Sequence, residues 1–413
     1  MDTEHIVIAG GGLAGATAAK TLRSEGFEGR ITVVCAENEP PYLRPPLSKE
    51  FLLGKAAEDT VPVLAAGWYE ENDVGLLLGE AVGAADPAAH TVQLGSGTEL
   101  QFSKLLIATG AQPRRIPLPG SDLAGVMTFR TFNDSRRLKE ELSAGGRNVV
   151  MIGSGWIGME LAAAASSYGN AVTLLGLEDV PLSMAIGPEL GGFFRSLHEK
   201  HGVQFRLPAS AAKITGTGGN AGAVVTNSGE VLPADLVVVA VGVVPDTALA
   251  EAIGLDIRNG IMVDSSLRTS SPDVFAAGDV ANALHPFTGE HHRSEHWSNA
   301  LNGGKVAAKA MLGQDAMLDV IPYFYTDQFD VSMEYWGYPT LAAGSVPVIR
   351  GSLEEKNFIA FWVREGAAVA AMSVNQQRVQ KPIKALISGR IPVDVDRLTD
   401  PAVPLDQLLP EAA

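Results

Sequence analysis

The stretch HIVIAGGGLAGATAAKTL, residues 5–22, decides the fold. The apolar run at residues 6–9 is typical of a buried strand, and the Ala- and Leu-rich segment that ends the stretch has helical spacing. Gly10, Gly12 and Gly15 form the pattern GxGxxG between them. The first glycine permits a tight turn, the second lets the backbone approach a pyrophosphate, and the third lets the helix pack closely on the strand. The stretch therefore predicts a dinucleotide-binding strand–turn–helix unit.

An acidic residue follows the next apolar run at the spacing expected for a ribose ligand. Glu37 lies 22 residues after Gly15, beyond the β-branched run at residues 31–34. A carboxylate at this place accepts hydrogen bonds from ribose hydroxyls. We therefore favour a nucleotide site over a glycine turn that binds nothing.

The same design recurs later in the chain. VVMIGSGWIGMELAAAA, from residue 149, repeats the fingerprint with Gly153, Gly155 and Gly158. KLLIATGAQPR (104–114) and LVVVAVGVVPD (236–246) also resemble each other, since both are strand-like runs that end in glycine and then proline. The duplication predicts an α/β protein with two Rossmann-like dinucleotide-binding domains.

The second fingerprint differs from the first in the acid that follows it. Gly176 stands at the expected position, and Glu178 and Asp179 come directly after it. No Lys or Arg occurs between Arg147 and Arg195. Because a 2′-phosphate needs a cationic partner, the segment favours NADH over NADPH.

Turn residues and composition divide the rest of the chain. Residues 79–102 read as a meander and residues 216–229 as a glycine-rich hairpin, and from about Pro322 short aromatic runs begin. We predict three domains: a first dinucleotide domain of residues 1–112 with 247–321, a second of residues 113–246, and a C-terminal α+β interface domain of residues 322–413.

Composition excludes several classes of protein. The formal charge of −16 argues against binding nucleic acid or an anionic membrane, and the longest apolar run, residues 236–241, is too short to span a bilayer. The acidic start is unlike a secretory signal, so we predict a cytoplasmic protein. Cys35 is the single cysteine, which excludes a redox disulfide and an all-cysteine metal site, and we predict no metal.

Four phrases together carry a family resemblance: PPYLRPPLSKEFL (40–52), LLIATGAQPR (105–114), GSGWIGMELA (153–162) and TSSPDVFAAGDVA (269–281). The chain resembles, from residue 5 to about residue 390, the NADH-dependent ferredoxin reductases of bacterial oxygenase systems, the group of the putidaredoxin, biphenyl-dioxygenase and rubredoxin reductases. The resemblance implies a glutathione-reductase-like flavoprotein that binds FAD in its first domain and NADH in its second. It also implies a small iron–sulfur ferredoxin as the electron acceptor.

The resemblance also implies roles for individual residues. Lys49 would reach the hydride-accepting nitrogen of the flavin, paired with Glu160, and Trp297 would lie near the isoalloxazine. Asp279 would hold the ribitol hydroxyls at a helix start. The other residues that it places at the cofactors, besides the two fingerprints, Glu37, Gly176 and Glu178, are Leu13, Ala14, Arg44, Pro45, Thr109, Gly110, Arg130, Trp156, Ile157, Gly242, Gly278, Glu295 and His296.

General chemistry agrees with these roles. Hydride transfer from nicotinamide to flavin requires no catalytic triad and no metal, so the protein has only to position the two rings and set their electrostatics. A lysine near the flavin favours negative charge on the ring, and a carboxylate partner keeps that lysine in place. We expect this pair to tune the chemistry and not to hold the fold. The alternatives are a solvated lysine at position 49 and a plain core aromatic at position 297.

Other functions on the same fold remain open. Thioredoxin- and glutathione-reductase chemistry needs a cysteine pair, and Cys35 precedes the RPPLSK phrase, so it does not match the single cysteine of NADH oxidases. A monodehydroascorbate-reductase-like enzyme stays possible, as does an NADH-responsive scaffold that resembles apoptosis-inducing factor. Gly176 also departs from the glutamate usual in the resembling family.

A local basic segment offers a docking face for an acidic ferredoxin. Arg378, Lys381, Lys384 and Arg390 lie within 13 residues that contain no acid, and Arg293 precedes Trp297. If the stretch is helical, residues 378, 381 and 384 share one side, with Pro382 near the helix start. The alternative is an ordinary solvated run of charges.

Overall fold

The computed structural model describes residues 4–410, and the chain divides into two compact units. Unit 1 is made of the residues up to Pro45, Ala57–Gln112 and Val243–Val320. Unit 2 is made of Pro46–Ala56, Pro113–Gly242 and the residues from Ile321 onward. Each unit contains one glycine fingerprint, and unit 2 also contains the aromatic C-terminal segment. The three-domain boundaries given above stay a prediction.

The strands are numbered in chain order: β1 (His5–Ala9), β2 (Arg30–Cys35), β3 (Val74–Leu78), β4 (Val82–Asp86), β5 (Thr91–Leu94), β6 (Glu99–Gln101), β7 (Lys104–Ile107), β8 (Ala111–Pro113), β9 (Val126–Thr128), β10 (Asn148–Ile152), β11 (Ala171–Leu175), β12 (Gln204–Arg206), β13 (Ala211–Thr217), β14 (Asn220–Thr226), β15 (Val231–Pro233), β16 (Leu236–Val239), β17 (Val243–Pro245), β18 (Ile261–Val263), β19 (Val274–Ala276), β20 (Ala281–His285), β21 (Glu290–Arg293), β22 (Tyr323–Gln328), β23 (Val331–Gly337), β24 (Val348–Ser352), β25 (Asn357–Arg364) and β26 (Ala367–Val374). The α-helices are α1 (Leu13–Ser24), α2 (Trp68–Glu71), α3 (Phe132–Ser143), α4 (Trp156–Ser167), α5 (Ser183–Ile186), α6 (Pro188–Lys200), α7 (Ala248–Ala252), α8 (Trp297–Met311), α9 (Pro339–Ala342), α10 (Gln380–Ser388) and α11 (Val395–Thr399). Short 3₁₀ turns lie at Pro45–Ser48, Glu58–Thr60, Gly278–Val280 and Leu405–Leu408.

Unit 1 is organised around a parallel five-stranded sheet of order β19-β7-β1-β2-β3. All five residues of β1 are buried, as expected for a strand covered on both faces. Helix α1 packs against α8, where a Cβ on Gly304 would stand 2.4 Å from the carbonyl oxygen of Ala14. Because α1 follows β1 after three residues, its start, and with it the first fingerprint, lies at the carboxyl edge of the sheet.

Unit 2 repeats this order in its own parallel sheet, β9-β16-β10-β11-β12. β10 and β16 take the places that β1 and β7 have in unit 1, and each parallel sheet is accompanied by a three-stranded antiparallel one, β4-β5-β6 or β13-β14-β15. The predicted duplication, meander and hairpin are therefore confirmed.

The C-terminal segment of unit 2 forms an antiparallel sheet of order β22-β23-β26-β25-β24. Its strands share one buried core with α4 and α6. Trp156 of α4 meets Phe194 and Phe324 edge-on, at ring-centroid distances of 5.5 and 5.3 Å. Edge-to-face contacts of this kind contribute about 0.5–1.5 kcal/mol each beyond burial, so they fix α4 against α6 and β22.

Candidate nucleotide sites and a buried ion pair

The first fingerprint forms the predicted turn between β1 and α1. Gly10 has φ +133°, and a Cβ there would stand 2.1 Å from the carbonyl oxygen of Ala108, so only glycine fits. A Cβ on Gly15 would stand 2.2 Å from the carbonyl oxygen of Gly10, which explains the close approach of helix to strand. Gly12 differs, because a Cβ there would point into open space and meet no other part of the unit within 4 Å. That opening, at the N-terminus of a 12-residue helix, suits the pyrophosphate of a dinucleotide.

Glu37 is held in a small polar cluster after β2. Its Oε2 accepts a hydrogen bond from the Tyr42 hydroxyl at 2.7 Å, and Arg44 Nη2 lies 3.4 Å from its Oε1. The Arg44 guanidinium also lies over the Tyr42 ring, 5.3 Å from its centroid. Both charged side chains keep about a third of their surface exposed, at 36% and 35%, so a bound ligand can reach them.

Asp279 is buried in unit 1 and is followed by a strand. β19 ends at Ala276, the first residue of the phrase AAGD, and Gly278–Val280 is a 3₁₀ turn that leads into β20. The expectation that Asp279 begins a helix is therefore wrong, because the chain extends immediately to pair with β18 and β21. A Cβ on Gly278 would stand 3.1 Å from the Cβ of Ala14, which places this turn beside the start of α1.

The segment before α8 carries two more predicted residues. Arg293 is 11% exposed and pairs with Glu295 at 2.6 Å, while its Nη1 donates to the Asp279 carbonyl at 3.2 Å. Its charge is thus compensated within unit 1. Desolvation lowers the pKa of His296 to about 4, against the opposing effect of the Asp279 carboxylate. Trp297 begins α8 and is 37% exposed, so it is not a plain core aromatic.

The remaining predicted contacts occupy loop ends of each unit. In unit 1, the Thr109 hydroxyl donates to the Asp246 carbonyl at 2.7 Å, next to Gly110. In unit 2, the backbone N–H of Arg130 donates to Asp134 at 3.0 Å, at the capping box of α3. Gly242 is an exposed glycine after β16, and Ile157 is 43% exposed at the start of α4.

The second fingerprint reproduces the first. Gly153 has φ +118°, with a Cβ position 2.2 Å from the carbonyl oxygen of Ala240, and a Cβ on Gly158 would stand 2.0 Å from the carbonyl oxygen of Gly153. Gly155, like Gly12, faces open space. Both fingerprints therefore offer an unobstructed helix start, as two separate dinucleotides require.

Strand register changes the assignment of the second acid. Gly10 donates to the Val34 carbonyl at 2.9 Å, and Gly153 donates to the Leu175 carbonyl at 2.8 Å. Glu37 and Glu178 each lie three residues beyond that acceptor, so Glu178, and not Gly176, is the counterpart of Glu37. The Glu178 Oε2 accepts from the Ser183 hydroxyl at 2.6 Å and from the Met184 N–H at 3.1 Å.

Lys49 and Glu160 form a buried ion pair in unit 2. Lys49 Nζ lies 2.8 Å from Glu160 Oε2, with 6% and 3% of the two side chains exposed. Lys49 follows the 3₁₀ turn Pro45–Ser48, and its ammonium lies over the Tyr325 ring at 5.4 Å. Burial raises the pKa of Tyr325 to about 12, with help from neighbouring carboxylates. Lys49 is therefore not a solvated surface lysine.

Two residues that the sequence did not indicate contact Glu160 directly, and a third contacts it through one of them. Ser48 donates to Glu160 Oε2 at 2.5 Å, and Thr326 donates to Glu160 Oε1 at 2.6 Å. Gln328 contacts Thr326 in turn, at 3.1 Å. The available signal was the alternation of β22, in which Thr326 and Gln328 are buried and Asp327 between them is exposed. Polar residues on the buried side of a strand indicate partners deeper in the fold.

Cys35 has no features of a reactive thiol. It is 1% exposed, its Sγ fills the space beside Gly11, and burial raises its pKa to about 12. Reactive cysteines have lowered pKa values and access to solvent.

Within residues 4–410, no group of three or more His, Cys, Asp or Glu side chains is arranged to hold a metal ion. None of the helices in the same range has the length and apolar composition that a membrane span requires.

The basic segment is only partly helical. α10 spans Gln380–Ser388 and includes Lys381 and Lys384, with Pro382 in its first turn as predicted. Arg378 lies outside the helix with φ +61°, so the predicted three-residue stripe along one helix is wrong. Arg378 and Lys381 are exposed, and Lys384 is half-buried. Arg390 is exposed after the helix, with φ +44°.

Comparison with known proteins supports the two nucleotide sites. A family model described as pyridine nucleotide-disulphide oxidoreductase matches residues 4–304, and one described as reductase C-terminal matches residues 323–409. The anthranilate 1,2-dioxygenase system ferredoxin–NAD(+) reductase component of Burkholderia cepacia is 37% identical, covering 99% of this chain and all of that protein. Rhodocoxin reductase of Rhodococcus erythropolis is 35% identical, covering 96% and 92%. The crystal structure of the covalent putidaredoxin reductase–putidaredoxin complex matches with a TM-score of 0.94 and 31% identity, over 98% of both chains.

The fold and the paired fingerprints thus define a flavoprotein oxidoreductase with separate sites for FAD and a nicotinamide nucleotide. The chain belongs to the pyridine nucleotide-disulphide oxidoreductase family, and within it to the ferredoxin reductases of bacterial oxygenase systems. Its cofactors are FAD and NAD(P)H. The family name refers to disulphide chemistry, which a single buried cysteine cannot perform.

Proposed function

We propose that this chain is the reductase component of an oxygenase system, which oxidises NADH and supplies single electrons to a small iron–sulfur ferredoxin. The observation that carries the proposal is the pair of unobstructed glycine turns, at Gly12 and at Gly155, together with the buried Lys49–Glu160 pair and no second cysteine. One NADH reduces two ferredoxins and releases one proton, so the enzyme must convert a two-electron donor into single electrons. FAD supplies this conversion, since it accepts a hydride and gives up electrons singly.

Unit 1 carries the residues that would hold FAD. The pyrophosphate would lie at the start of α1, where Gly12 leaves room, and Glu37 would accept hydrogen bonds from the adenosine ribose. Arg44 and Asp279 would contact the phosphate–ribityl side, one as a cation and the other as an acceptor for hydroxyls. Trp297, which stays partly exposed, would contribute an aromatic face near the ring.

Unit 2 carries the residues for the nicotinamide nucleotide. Its pyrophosphate would lie at the start of α4, next to Gly155. Glu178 has the place of the ribose acid, and its charge disfavours a 2′-phosphate. We therefore assign NADH as the preferred donor.

Lys49 would act by charge. Its ammonium favours negative charge on a neighbouring ring, and Glu160 holds that ammonium within hydrogen-bond distance. The exchange of a hydride then needs no further acid or base from the protein. The roles of Lys49 and Glu160 are thus electrostatic and positional.

The ferredoxin would dock on the segment around α10. Oxygenase-type ferredoxins are generally acidic, so a reductase of net charge −16 needs a local patch of positive charge. Arg378, Lys381 and Lys384 form no ion pair with an Asp or Glu among residues 4–410, which leaves their charge available. A reduced, buried Cys35 is compatible with a cytoplasmic location, and we place the reaction there.

The direct test is NADH-dependent reduction of cytochrome c through an added oxygenase-type ferredoxin. We expect a yellow protein with one FAD per chain and a rate that depends on ferredoxin concentration. A scaffold protein would instead form a slow, long-lived flavin–nicotinamide complex with no ferredoxin-dependent rate. A protein that binds no FAD on reconstitution would end the proposal.

A further inference from the structure

Glu160 stands at the end of a buried chain of hydrogen bonds. Thr326 Oγ1 lies 2.6 Å from Glu160 Oε1, Gln328 Nε2 lies 3.1 Å from Thr326 Oγ1, and His198 Nε2 lies 2.8 Å from Gln328 Oε1. Thr326, Gln328 and His198 are each at most 1% exposed. This series of hydrogen bonds therefore runs through the interior of unit 2, from α6 across β22 to α4.

The direction of every hydrogen bond follows from the carboxylate. A carboxylate only accepts, so Thr326 gives its single hydroxyl proton to Glu160. The Thr326 oxygen must then accept from the amide nitrogen of Gln328, and the amide oxygen of Gln328 is left to face His198. His198 must donate from Nε2.

The state of His198 agrees with this order. Burial lowers the pKa of His198 to about 4, so the ring is neutral near pH 7 and carries one proton. Its Nδ1 has no hydrogen-bond partner among the residues that the structure describes. A neutral ring with its proton on Nε2 is thus the tautomer that the surroundings select.

The far end of the chain is fixed by aromatic packing. Phe329 follows β22 with φ +57°, a conformation that is costly for an aromatic residue. Its ring stacks on His201 at 3.8 Å and meets His198 edge-on at 5.0 Å. These contacts hold His198 against the hairpin that carries Thr326 and Gln328.

We propose that Thr326, Gln328 and His198 are positioning residues, which hold the Glu160 carboxylate in one orientation and through it place the Lys49 ammonium. The inference rests on the proposed role of Lys49. A lysine has a flexible stem and three equivalent donors, so its ammonium is located only as well as its acceptor is. Glu160 uses Oε1 for Thr326 and Oε2 for Ser48 and Lys49, so loss of Thr326 frees the carboxylate to rotate.

The test uses the holoenzyme with ¹⁵N-labelled histidine and the isosteric variant Thr326→Val. In the wild type we expect the His198 ring, identified by its loss in His198→Phe, to show a single Nε2–H tautomer. In Thr326→Val the Gln328 amide has no acceptor to orient it, so both tautomers should appear. Thr326→Ser, which keeps the hydroxyl, should restore the single tautomer, and Ser373→Ala, which removes another buried hydroxyl of the same sheet, should leave it unchanged.

Kinetics provide the second measurement. Thr326→Val should slow NADH-dependent reduction about tenfold, the change that loss of about 1.4 kcal/mol of a charge-assisted hydrogen bond produces. NADH affinity should not change. If Lys49→Met reacts at the wild-type rate, the proposed role of Lys49 fails. The His198 tautomer alone then decides whether the hydrogen bonds from His198 to Glu160 have the stated directions. If Lys49→Met is slow while Thr326→Val reacts normally, or if His198 keeps one tautomer in Thr326→Val, the positioning inference is overturned.

Discussion

The side chain of Ser154 lies where a side chain at position 176 would begin. A Cβ added to Gly176 would stand 2.2 Å from Ser154 Oγ and 2.7 Å from Ser154 Cβ. Unit 1 shows the reverse arrangement, because the Cys35 side chain fills the space beside Gly11, at 2.3 Å from a Cβ there. Each fingerprint thus accommodates one side chain at this contact. The glycine that the resemblance marks as unusual is explained by the serine that faces it.

This contact predicts the behaviour of Gly176→Glu. Alone, the substitution should lower the midpoint of thermal unfolding, because overpacking of this kind costs about 1–3 kcal/mol. Combined with Ser154→Gly, it should recover part of the lost stability, since the third nearest atom, Leu207 Cδ2 at 2.8 Å, belongs to a side chain that can move. A double variant as unstable as the single one would show that Ser154 is not the obstacle.

Glu178 should set the choice of nicotinamide nucleotide. Since it has the strand position of Glu37, Glu178→Gln should remove most of the repulsion of a 2′-phosphate and raise the NADPH rate several-fold more than the NADH rate. Stopped-flow reduction with each nucleotide measures the ratio. Asp179→Asn removes the same charge one residue away, so an equal shift in that control would contradict a specific role of Glu178.

The two open glycines should separate the two nucleotides. Gly12→Ala should lower the FAD content, because the added methyl occupies the space that a pyrophosphate needs. The free energy of unfolding should change by less than about 0.5 kcal/mol. Gly155→Ala should keep FAD and weaken NADH binding. Visible absorbance measures the FAD content of each variant, and a thermal melt measures its stability. Gly10→Ala is the contrasting variant, since its methyl would meet the Ala108 carbonyl at 2.1 Å and should unfold the first unit. A Gly12→Ala protein that retains full FAD would contradict the site.

Removal of Lys49 should affect both stability and rate. Lys49→Met leaves the Glu160 carboxylate buried without its cation, which costs about 3–5 kcal/mol. The structure therefore revises the expectation that the pair does not hold the fold. The double variant Lys49→Met with Glu160→Gln should regain much of the stability but not the rate, measured by urea unfolding and stopped-flow. FAD content should remain complete, and recovery of the rate in the double variant would refute the electrostatic role.

Reversal of charge at the basic segment should weaken ferredoxin docking. Arg378→Glu with Lys384→Glu should raise the KM for ferredoxin and flatten its dependence on salt, because screening acts over about 10 Å at 0.1 M. Ferricyanide reduction, which needs no docking face, should change little. Lys20→Glu with Lys213→Glu makes the same change of net charge at exposed positions elsewhere. An equal effect in that control would mean that the net charge of the protein, and not this segment, controls docking.

The buried His198 should make unfolding depend on pH. Its pKa is lowered to about 4 in the folded chain and is near 6.5 in the unfolded one, so between these values the unfolded chain binds more protons. The free energy of unfolding should therefore fall as the pH falls from about 6.5 to about 4, by on the order of 3 kcal/mol from this residue. His198→Phe, although less stable at pH 7, should show a shallower fall in urea midpoints between pH 7 and pH 5. An unchanged slope would mean that His198 is protonated in the fold.

The sequence by itself determined the parts of this protein that depend on neighbouring residues. Gly10 and Gly153 need positive φ, Gly15 and Gly158 need close helix packing, and one cysteine excludes disulfide chemistry, whatever the rest of the chain does. These are local constraints of backbone conformation and composition, so the motifs predicted the two parallel sheets and two dinucleotide sites. The family resemblance then implied FAD for the first site and NADH for the second.

Only the tertiary structure decided which polar groups meet. The strand register identifies Glu178 as the counterpart of Glu37. The two acids lie at different spacings from their fingerprints because the connection from α4 to β11 is two residues shorter than the one from α1 to β2. Thr326 and Gln328 reach Glu160 and His198 from 166 and 130 residues away. The partners of a buried polar group are selected by the packing of the elements that carry them, and that packing depends on side chains spread over the whole unit, which no spacing along the chain encodes.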